Sequence, residues 1–252
     1  MRAMALHPLA EHFASVAGAY ERGRPEYAPA VVGALAAELR IAPGAAVLDL
    51  AAGTGKLTRA LLAAGFDVVA VEPQRSLREV LAANVGPERA LDGLAEAIPL
   101  GDGSVDAVTV ADAFHWFDQV AALAEIRRVL RPEGGLALVT TIPDFGGASW
   151  AHELGTLLER ARPEHPGFDG PSWRDAVAAA DGWSAPREIR VTTSQPLDPG
   201  RMVDLVASVS WIAAMPHEQR AEILAQAGAL VSAGDSPEEL PLHVVVGLTT
   251  RA

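Results

Sequence analysis

The sequence contains no cysteine among its 252 residues. Disulfide bonds, thiolate metal sites and cysteine nucleophiles are therefore excluded. The histidines do not indicate a metal site either, because their spacing from one another and from nearby acids is not that of metal ligands. The sequence predicts no bound metal and is compatible with a reducing cytoplasm.

Lysine is nearly absent too, since Lys56 is the single lysine of a chain whose formal net charge is −12. Surfaces that bind nucleic acid need clustered Lys and Arg to displace counterions from phosphates, and no such cluster is present. No apolar run reaches the roughly 18 to 20 residues that cross a bilayer. His7 and Pro8 interrupt any signal-peptide core. We expect a cytoplasmic protein that binds neither nucleic acid nor membrane.

The central part of the chain alternates short apolar runs with longer segments of helical period, as βαβ units do. Gly65, Gly86-Pro87 and the R-P-E-G-G run from Arg131 supply helix stop signals. Predicted strands are Ala46–Leu50, Asp67–Val71, Ala90–Gly93, Val105–Val110, Leu136–Thr141, Glu188–Thr193 and Leu242–Leu248. Predicted helices are Pro29–Leu39, Leu57–Ala64, Ser76–Ala83, Gln119–Leu130, Arg201–Ala214 and Glu218–Ser232.

A glycine-bearing loop follows the first predicted strand, in the stretch V-L-D-L-A-A-G-T-G-K-L-T at residues 47–58. Such a loop lets backbone amides approach a ligand closely. A nucleoside-triphosphate loop would need a glycine at Leu50 and a hydroxyl at Leu57, so that interpretation fails twice. A dinucleotide loop would need a third glycine at Thr58, and Asp49 would repel its pyrophosphate.

The remaining ligand is a nucleoside with a cationic tail, namely S-adenosylmethionine. Asp49 would attract its ammonium group. Glu72, 23 residues later at the tip of the second strand, is placed to accept hydrogen bonds from both hydroxyls of a ribose. The two acids and the glycine loop together favour an adenosine-type ligand with a positive charge.

Five motifs in order give the chain a strong resemblance to the class I S-adenosylmethionine-dependent methyltransferases, and within them to the small-molecule group that includes trans-aconitate and ubiquinone-pathway methyltransferases. The motifs are V-L-D-L-A-A-G-T-G, V-A-V-E-P, G-L-A-E-A-I-P-L, S-V-D-A-V-T-V-A-D-A-F-H-W-F-D and R-R-V-L-R-P-E-G-G. The resemblance covers about residues 20 to 141. After Thr141 the similarity extends only to the order of elements.

The resemblance implies a Rossmann-like α/β fold, with a mostly parallel seven-stranded sheet, helices on both faces and an antiparallel last strand. It also implies a single domain over residues 1–252, divided into an N-terminal lid and helix (about 1–45), a cofactor-binding core (46–141) and substrate-covering elements with the final strands (142–252). The cofactor would be S-adenosylmethionine, with S-adenosylhomocysteine as product and no metal.

Carried over position by position, the resemblance assigns cofactor contacts along the chain. Asp49, Ala51 and Gly53 would border the methionine part, and Glu72 would bind the ribose. Pro73 and Gln74 would flank one side of the adenine, and Ala95 and Glu96 the other. Tyr20 and Arg24 would close over the cofactor, unless their segment is a surface linker.

Two positions depart from the family pattern. Ala51 replaces the first loop glycine, which narrows the space slightly but is tolerated if that residue keeps a negative φ. Leu94 stands where an aspartate often binds the adenine amino group. Adenine recognition would then depend on stacking and on backbone contacts, chiefly the Ala95 amide.

The acceptor side is less defined. His115 in A-F-H-W-F-D is the candidate general base, although the same string fits a structural corner, and Asp118 is the expected N-cap of the next helix. Trp150, Trp173 and Trp211 are candidate substrate contacts for a flat or apolar acceptor. The sequence thus predicts methyl transfer to an oxygen or nitrogen of a small molecule; the alternative is a protein that binds the cofactor without transferring methyl.

Overall fold

The structure is a computed structural model that describes residues 7–144, 149–232 and 239–252. The chain forms two compact units. The sheet unit comprises Glu26–Thr141, Pro166–Val191 and Val244–Ala252, and the helical unit comprises the described residues of Met1–Pro25, Ile142–His165 and Thr192–His243. The expectation of a single domain stays a prediction.

The described elements alternate between strands and helices through the middle of the chain. The strands are β1 Ala46–Leu50, β2 Asp67–Val71, β3 Ala90–Leu91, β4 Val105–Ala111, β5 Leu130–Pro143, β6 Arg187–Pro196 and β7 Glu239–Thr250. The α-helices are α1 Pro8–Glu11, α2 Ala17–Gly23, α3 Pro29–Leu39, α4 Lys56–Ala63, α5 Arg75–Val85, α6 Gln119–Val129, α7 Ser149–Arg160, α8 Pro166–Asp169, α9 Trp173–Ala179, α10 Pro199–Ala207, α11 Ser210–Ala213 and α12 His217–Ser232. Short 3₁₀ turns cover His12–Val16, Pro87–Arg89 and Phe114–Trp116.

The seven strands form one sheet in the order β3-β2-β1-β4-β5-β7-β6. Strands β1 to β5 pair in parallel. Strand β7 runs antiparallel to β5, because Arg251 N donates to Gly134 O while Asp144 N donates to Pro241 O. This confirms the predicted fold class: a mostly parallel seven-stranded sheet whose last strand is antiparallel.

The sheet is apolar on both faces, as expected of parallel strands covered by helices. On β1, the side chains of Leu48 and Leu50 join one buried cluster and that of Val47 joins the other. Helix α6 packs on the first cluster, and α3 and α4 pack on the second. Because β1, β2 and β4 run parallel, their carboxyl ends lie along one edge of the sheet, where open α/β sheets bind ligands.

Two predicted elements differ from the structure in ways that have a local cause. Strand β5 begins at Leu130 rather than Leu136, because the R-P-E-G-G run forms a bulge in which Glu133 has a φ of 65°. The predicted helix Arg201–Ala214 is broken at Ser208, whose hydroxyl donates to Leu205 O. A serine that bonds its own helix in this way competes with the backbone ladder.

The helical unit has its own buried cluster, in which Met202, Ile212 and Leu240 are fully enclosed. Helix α2 packs closely on α10, since a Cβ atom at Gly23 would lie 2.2 Å from Leu205 N. Arg22 also forms a two-point ion pair with Asp204, at 2.7 and 2.8 Å. In the described ranges, no helix is long and apolar enough to cross a membrane.

Candidate active site

The loop from Ala51 to Gly55 joins β1 to α4 through three residues in left-handed conformation. Their φ angles are 57° at Ala51, 60° at Gly53 and 88° at Gly55. The condition of a negative φ at Ala51 is therefore not met. The chain must reverse sharply between β1 and α4, and the Ala52 amide is held against Val71 O at 3.1 Å. An alanine in this region costs roughly 1 to 2 kcal/mol relative to glycine.

Gly55 cannot be replaced by a larger residue without a rearrangement. A Cβ atom built there would lie 2.6 Å from Leu81 Cδ1, on α5. Gly55 also precedes Lys56, the first residue of α4. The glycine thus lets α4 start directly beneath the loop and pack on α5.

Glu72, the acid after β2, is buried and bonded to the loop. Its Oε2 accepts from Gly53 N and its Oε1 accepts from Gln74 N, each at 2.9 Å. Burial raises the pKa of Glu72 to about 7, against the lowering effect of the two amides. The carboxylate therefore fixes the loop relative to the start of α5 and retains lone pairs for further donors.

Asp49 is fully buried on β1. Its Oδ2 accepts from the Thr58 hydroxyl at 2.6 Å, and its Oδ1 accepts from the Thr109 hydroxyl at 3.1 Å. Burial raises its pKa to about 6. The two threonines were not predicted, although Thr109 is a polar residue within the apolar run of β4 and Thr58 lies two residues into α4.

Lys56 does not face a phosphate site. Its side chain is only 5% exposed, and its ammonium pairs with Glu26 Oε1 at 2.5 Å. Arg59, one turn further along α4, binds the same carboxylate at 3.0 Å. Lys56 is thus the first residue of α4 and pairs with Glu26.

The predicted adenine-side residues lie after β2 and β3. Gln74 is the N-cap residue of α5 and is buried, and Pro73 O accepts from Arg78 at 3.0 Å. Ala95 is buried in an apolar cluster, and Glu96 Oε1 accepts from Asp118 N at 2.8 Å. Asp118 caps α6 by accepting from Ala121 N at 3.1 Å, as predicted.

Comparisons with known proteins identify the family. A methyltransferase-domain profile matches residues 48–138. An uncharacterised methyltransferase of Mycobacterium tuberculosis is 43% identical over 214 residues, which are 84% of this chain and 82% of that protein. An uncharacterised methyltransferase-like protein of Schizosaccharomyces pombe is 32% identical over 82% of this chain and 80% of its own length.

The chain belongs to the class I S-adenosylmethionine-dependent methyltransferases. A methyltransferase structure from Anaeromyxobacter dehalogenans superposes with a TM-score of 0.62 at 23% identity, covering 90% of this chain and 97% of that chain. One from Anabaena variabilis gives a TM-score of 0.60 at 21% identity, covering 89% and 98%. At these identities the likeness shows the fold alone.

The residues of this methyltransferase around the loop fit the family's cofactor. The loop has an acid on each side and no phosphate-directed lysine, which suits a ligand with a cationic amino-acid part and a ribose. The hydroxyl of Thr54, in the loop itself, is buried and has no hydrogen-bond partner within the described residues. A ligand or water lying on the loop would satisfy this atom.

His115 lies in the 3₁₀ turn Phe114–Trp116, which directly follows β4. Its ring is half-buried and lies 4.5 Å from the Trp116 ring, centroid to centroid, at an interplanar angle of 50°. The turn thus places an imidazole at the carboxyl edge of the sheet.

Asp112, three residues before His115, was not singled out by the sequence. It has a φ of 51°. Its Oδ1 accepts from Thr141 N at 2.9 Å and its Oδ2 accepts from the Tyr27 hydroxyl at 3.3 Å. Asp tolerates the left-handed region better than most residues do. A carboxylate held in such a conformation at the end of β4 is a further candidate for the site.

The other predicted site residues are divided between the two units. In the helical unit, Arg24 donates to the hydroxyl and the carbonyl of Ser208 at 2.8 and 3.0 Å, and its guanidinium lies 5.3 Å from the centre of the Tyr20 ring. Trp150 and Trp211 both pack on the apolar cluster of that unit. Trp173 belongs to the sheet unit, where its indole lies against Gly247 of β7.

Proposed function

We propose that this methyltransferase transfers the methyl group of S-adenosylmethionine to an oxygen or nitrogen of a small-molecule acceptor. The observation that supports this most is the hydrogen bond from Gly53 N to Glu72 Oε2, which joins the glycine loop to the acid after β2 at 2.9 Å. A carboxylate bonded to the loop can accept hydrogen bonds from the ribose hydroxyls of an adenosine ligand, whereas it would repel a phosphate.

This geometry supports the cofactor contacts that we propose. Glu72 would receive the ribose hydroxyls, and the backbone around Gly53 would border the methionine part. Asp49 would influence the cofactor through its charge rather than by direct hydrogen bonds, because both its oxygens already accept from threonine hydroxyls. Its role is then to supply negative charge near the ammonium and to hold the loop in place.

The chemistry needs alignment more than acid or base groups. The sulfonium supplies a methyl group with a neutral leaving group, and proper orientation of two reactants provides about 7 to 11 kcal/mol. This chain's residues would hold the acceptor in line and exclude water. His115 and Asp112, at the carboxyl end of β4, are the residues we assign to the acceptor's proton, for acceptors that lose one.

The acceptor itself is proposed to be flat or apolar. From the family resemblance, we assign recognition of the acceptor to Trp150 and Trp211, and contact with the cofactor to Tyr20 and Arg24. A mycobacterial demethylmenaquinone methyltransferase is 40% identical over 126 residues, half of this chain and 53% of that protein. Its named substrate class agrees with a flat, apolar acceptor.

The packing of Trp173 on Gly247 favours a structural role for that residue.

Formation of S-adenosylhomocysteine tests the proposal. The purified protein would be incubated with S-adenosylmethionine and a panel of phenols, quinols, carboxylic acids and amines, and the product would be quantified by mass spectrometry. We expect acceptor-dependent product with at least one flat hydroxyl- or amine-bearing compound. Cofactor binding without product from any panel member would instead support a protein that binds the cofactor without transferring methyl.

A further inference from the structure

A groove of about 470 Å³ opens at the amino ends of β4 and β5, the opposite edge of the sheet from the glycine loop. It is lined by the last turn of α6, by the turn before β4 and by the residue after β7, all of them in the sheet unit. Three of its lining residues are arginines, Arg127, Arg128 and Arg251, against one acid, Asp102. A concave surface with a positive charge is unexpected in a chain whose net charge is −12, and it indicates a candidate site for an anion.

Arg127 is the unusual member of this set. Its Nε is buried and has no hydrogen-bond partner, and no ion pair of Arg127 is found within residues 7–144, 149–232 and 239–252. A buried charged donor without an acceptor is costly. The guanidinium is nonetheless held in place, because it lies against Gly182, where a Cβ atom would be 2.3 Å from Nε.

Arg128, at the same end of α6, has a structural role and provides a comparison for Arg127. It binds Glu125 and Asp102 and donates to the carbonyls of Leu100 and Ile98. Its donors therefore fasten α6 to the preceding loop. Among the described residues, Arg127, one residue earlier, has no such hydrogen bond to a carbonyl, so stabilisation of the helix end does not account for it.

Arg251 lies at the other side of the groove. One of its terminal nitrogens donates to Leu130 O. A guanidinium has five N–H donors, and this bond uses one of them. The groove therefore has one arginine with no described partner and a second with donors in excess.

We propose that this groove binds a small phosphate-type oxyanion, either free or as the phosphate of a small molecule, through Arg127 with the support of Arg251. Phosphate oxygens accept from arginine donors in pairs, and such charge-assisted bonds are about twice as strong as neutral ones. An oxyanion in the groove would accept from the terminal nitrogens of the Arg127 guanidinium, which is held in place against Gly182, and would balance the excess positive charge of the lining. The site is separate from the proposed cofactor site.

Calorimetric titration of inorganic pyrophosphate into the full-length protein, at constant ionic strength set with sodium chloride, tests the proposal. We expect saturable binding to one site, and a loss of about tenfold or more in affinity for Arg127→Gln. Arg131→Gln is the matched control, because Arg131 pairs with Asp106 at 2.5 Å and does not line the groove. This variant removes the same charge and should retain affinity within about twofold.

Two further measurements separate the possible sites and guard against misfolding. Saturating S-adenosylhomocysteine should leave pyrophosphate binding unchanged; competition would place the anion at the cofactor loop and overturn the proposal. Circular dichroism would check the fold of Arg127→Gln, and Arg251→Gln, with a smaller expected loss, provides a second variant. No saturable binding up to about 10 mM, or equal affinity in wild type, Arg127→Gln and Arg131→Gln, would also overturn it.

Discussion

The amide of Gly53 and the carboxylate of Glu72 are joined by a 2.9 Å hydrogen bond, so the loop after β1 and the acid after β2 form one preorganised unit. The second oxygen of Glu72 accepts from Gln74 N at the start of α5. Because a carboxylate offers about four lone-pair positions, Glu72 can keep both amides and still accept from a ribose. Preorganisation of this kind reduces the entropy lost when a ligand binds.

Replacement of Glu72 should therefore weaken cofactor binding. We expect Glu72→Ala to lower the affinity for S-adenosylmethionine by ~1 to 3 kcal/mol, because ribose hydroxyls lose a charged acceptor and the loop loses an anchor. Calorimetric titration measures this. Glu79→Ala is the control, since Glu79 is 64% exposed on α5 and pairs with Arg75; its affinity should not change. An equal affinity for Glu72→Ala and wild type would show that the ribose assignment is wrong.

The buried acids predict an unusual pH dependence of stability. Burial raises the pKa of Glu72 to about 7 and that of Asp49 to about 6, whereas both ionise near about 4 in an unfolded chain. Between these values the folded protein holds protons that the unfolded chain releases. The free energy of unfolding should thus fall as the pH rises from about 4 to 7.

Thermal unfolding of the ligand-free protein between about pH 5 and 7.5 would measure this fall. Other acids have a lowered pKa, such as Glu125 beside Arg128 and the partly desolvated Glu188 beside Arg174. Their contribution to the free energy of unfolding is lost only below this pH range, so it does not mask the fall. Glu72→Gln should have a smaller fall in melting temperature across the window than wild type. A parallel fall in both proteins would show that Glu72 does not hold a proton in the folded state.

Ala51 provides a test of backbone strain in the loop. Its φ of 57° is one that glycine adopts freely and alanine does not. Ala51→Gly should therefore leave the free energy of unfolding unchanged or raise it by up to about 1 kcal/mol. Ala83→Gly, in an exposed position of α5, should lower it by about 0.5 to 1 kcal/mol. Denaturant unfolding would measure the free energy of unfolding of both variants. An equal decrease in the two variants would contradict the left-handed conformation at Ala51.

His115 can be tested once an acceptor has been found. If it takes the acceptor's proton, His115→Gln should lower kcat by about 100-fold or more and leave cofactor affinity unchanged. His243→Gln, at a half-exposed histidine of β7 in the helical unit, is the control. Unchanged kcat with a lower melting temperature would instead support the structural-corner interpretation of the F-H-W-F string.

The sequence predicted the sheet unit well because each signal there was local. The apolar runs around Val47 and Val69 and the stop at Gly65 fall within short windows, and the observed β1 and β2 have the predicted bounds. The cap at Asp118 was predicted for the same reason. Periodicity and turn chemistry determine such features without knowledge of distant contacts.

The site was predicted less completely, because its side chains meet across the fold. The hydroxyls that hold Asp49 come from Thr58 and Thr109, 9 and 60 residues away. The residue after Ala51, which has the positive φ, donates its amide to Val71 O of β2. Asp112 obtains its partners from Tyr27 and Thr141, 85 and 29 residues away. None of these pairings has a pattern within a single window of sequence.

Calorimetric titration of S-adenosylmethionine into the purified wild-type protein tests the central claim most directly. The preorganised loop and Glu72 predict one site per chain with a dissociation constant in the micromolar range, about −8 kcal/mol. S-adenosylhomocysteine should compete for the same site. Absence of binding at high micromolar cofactor would contradict the account.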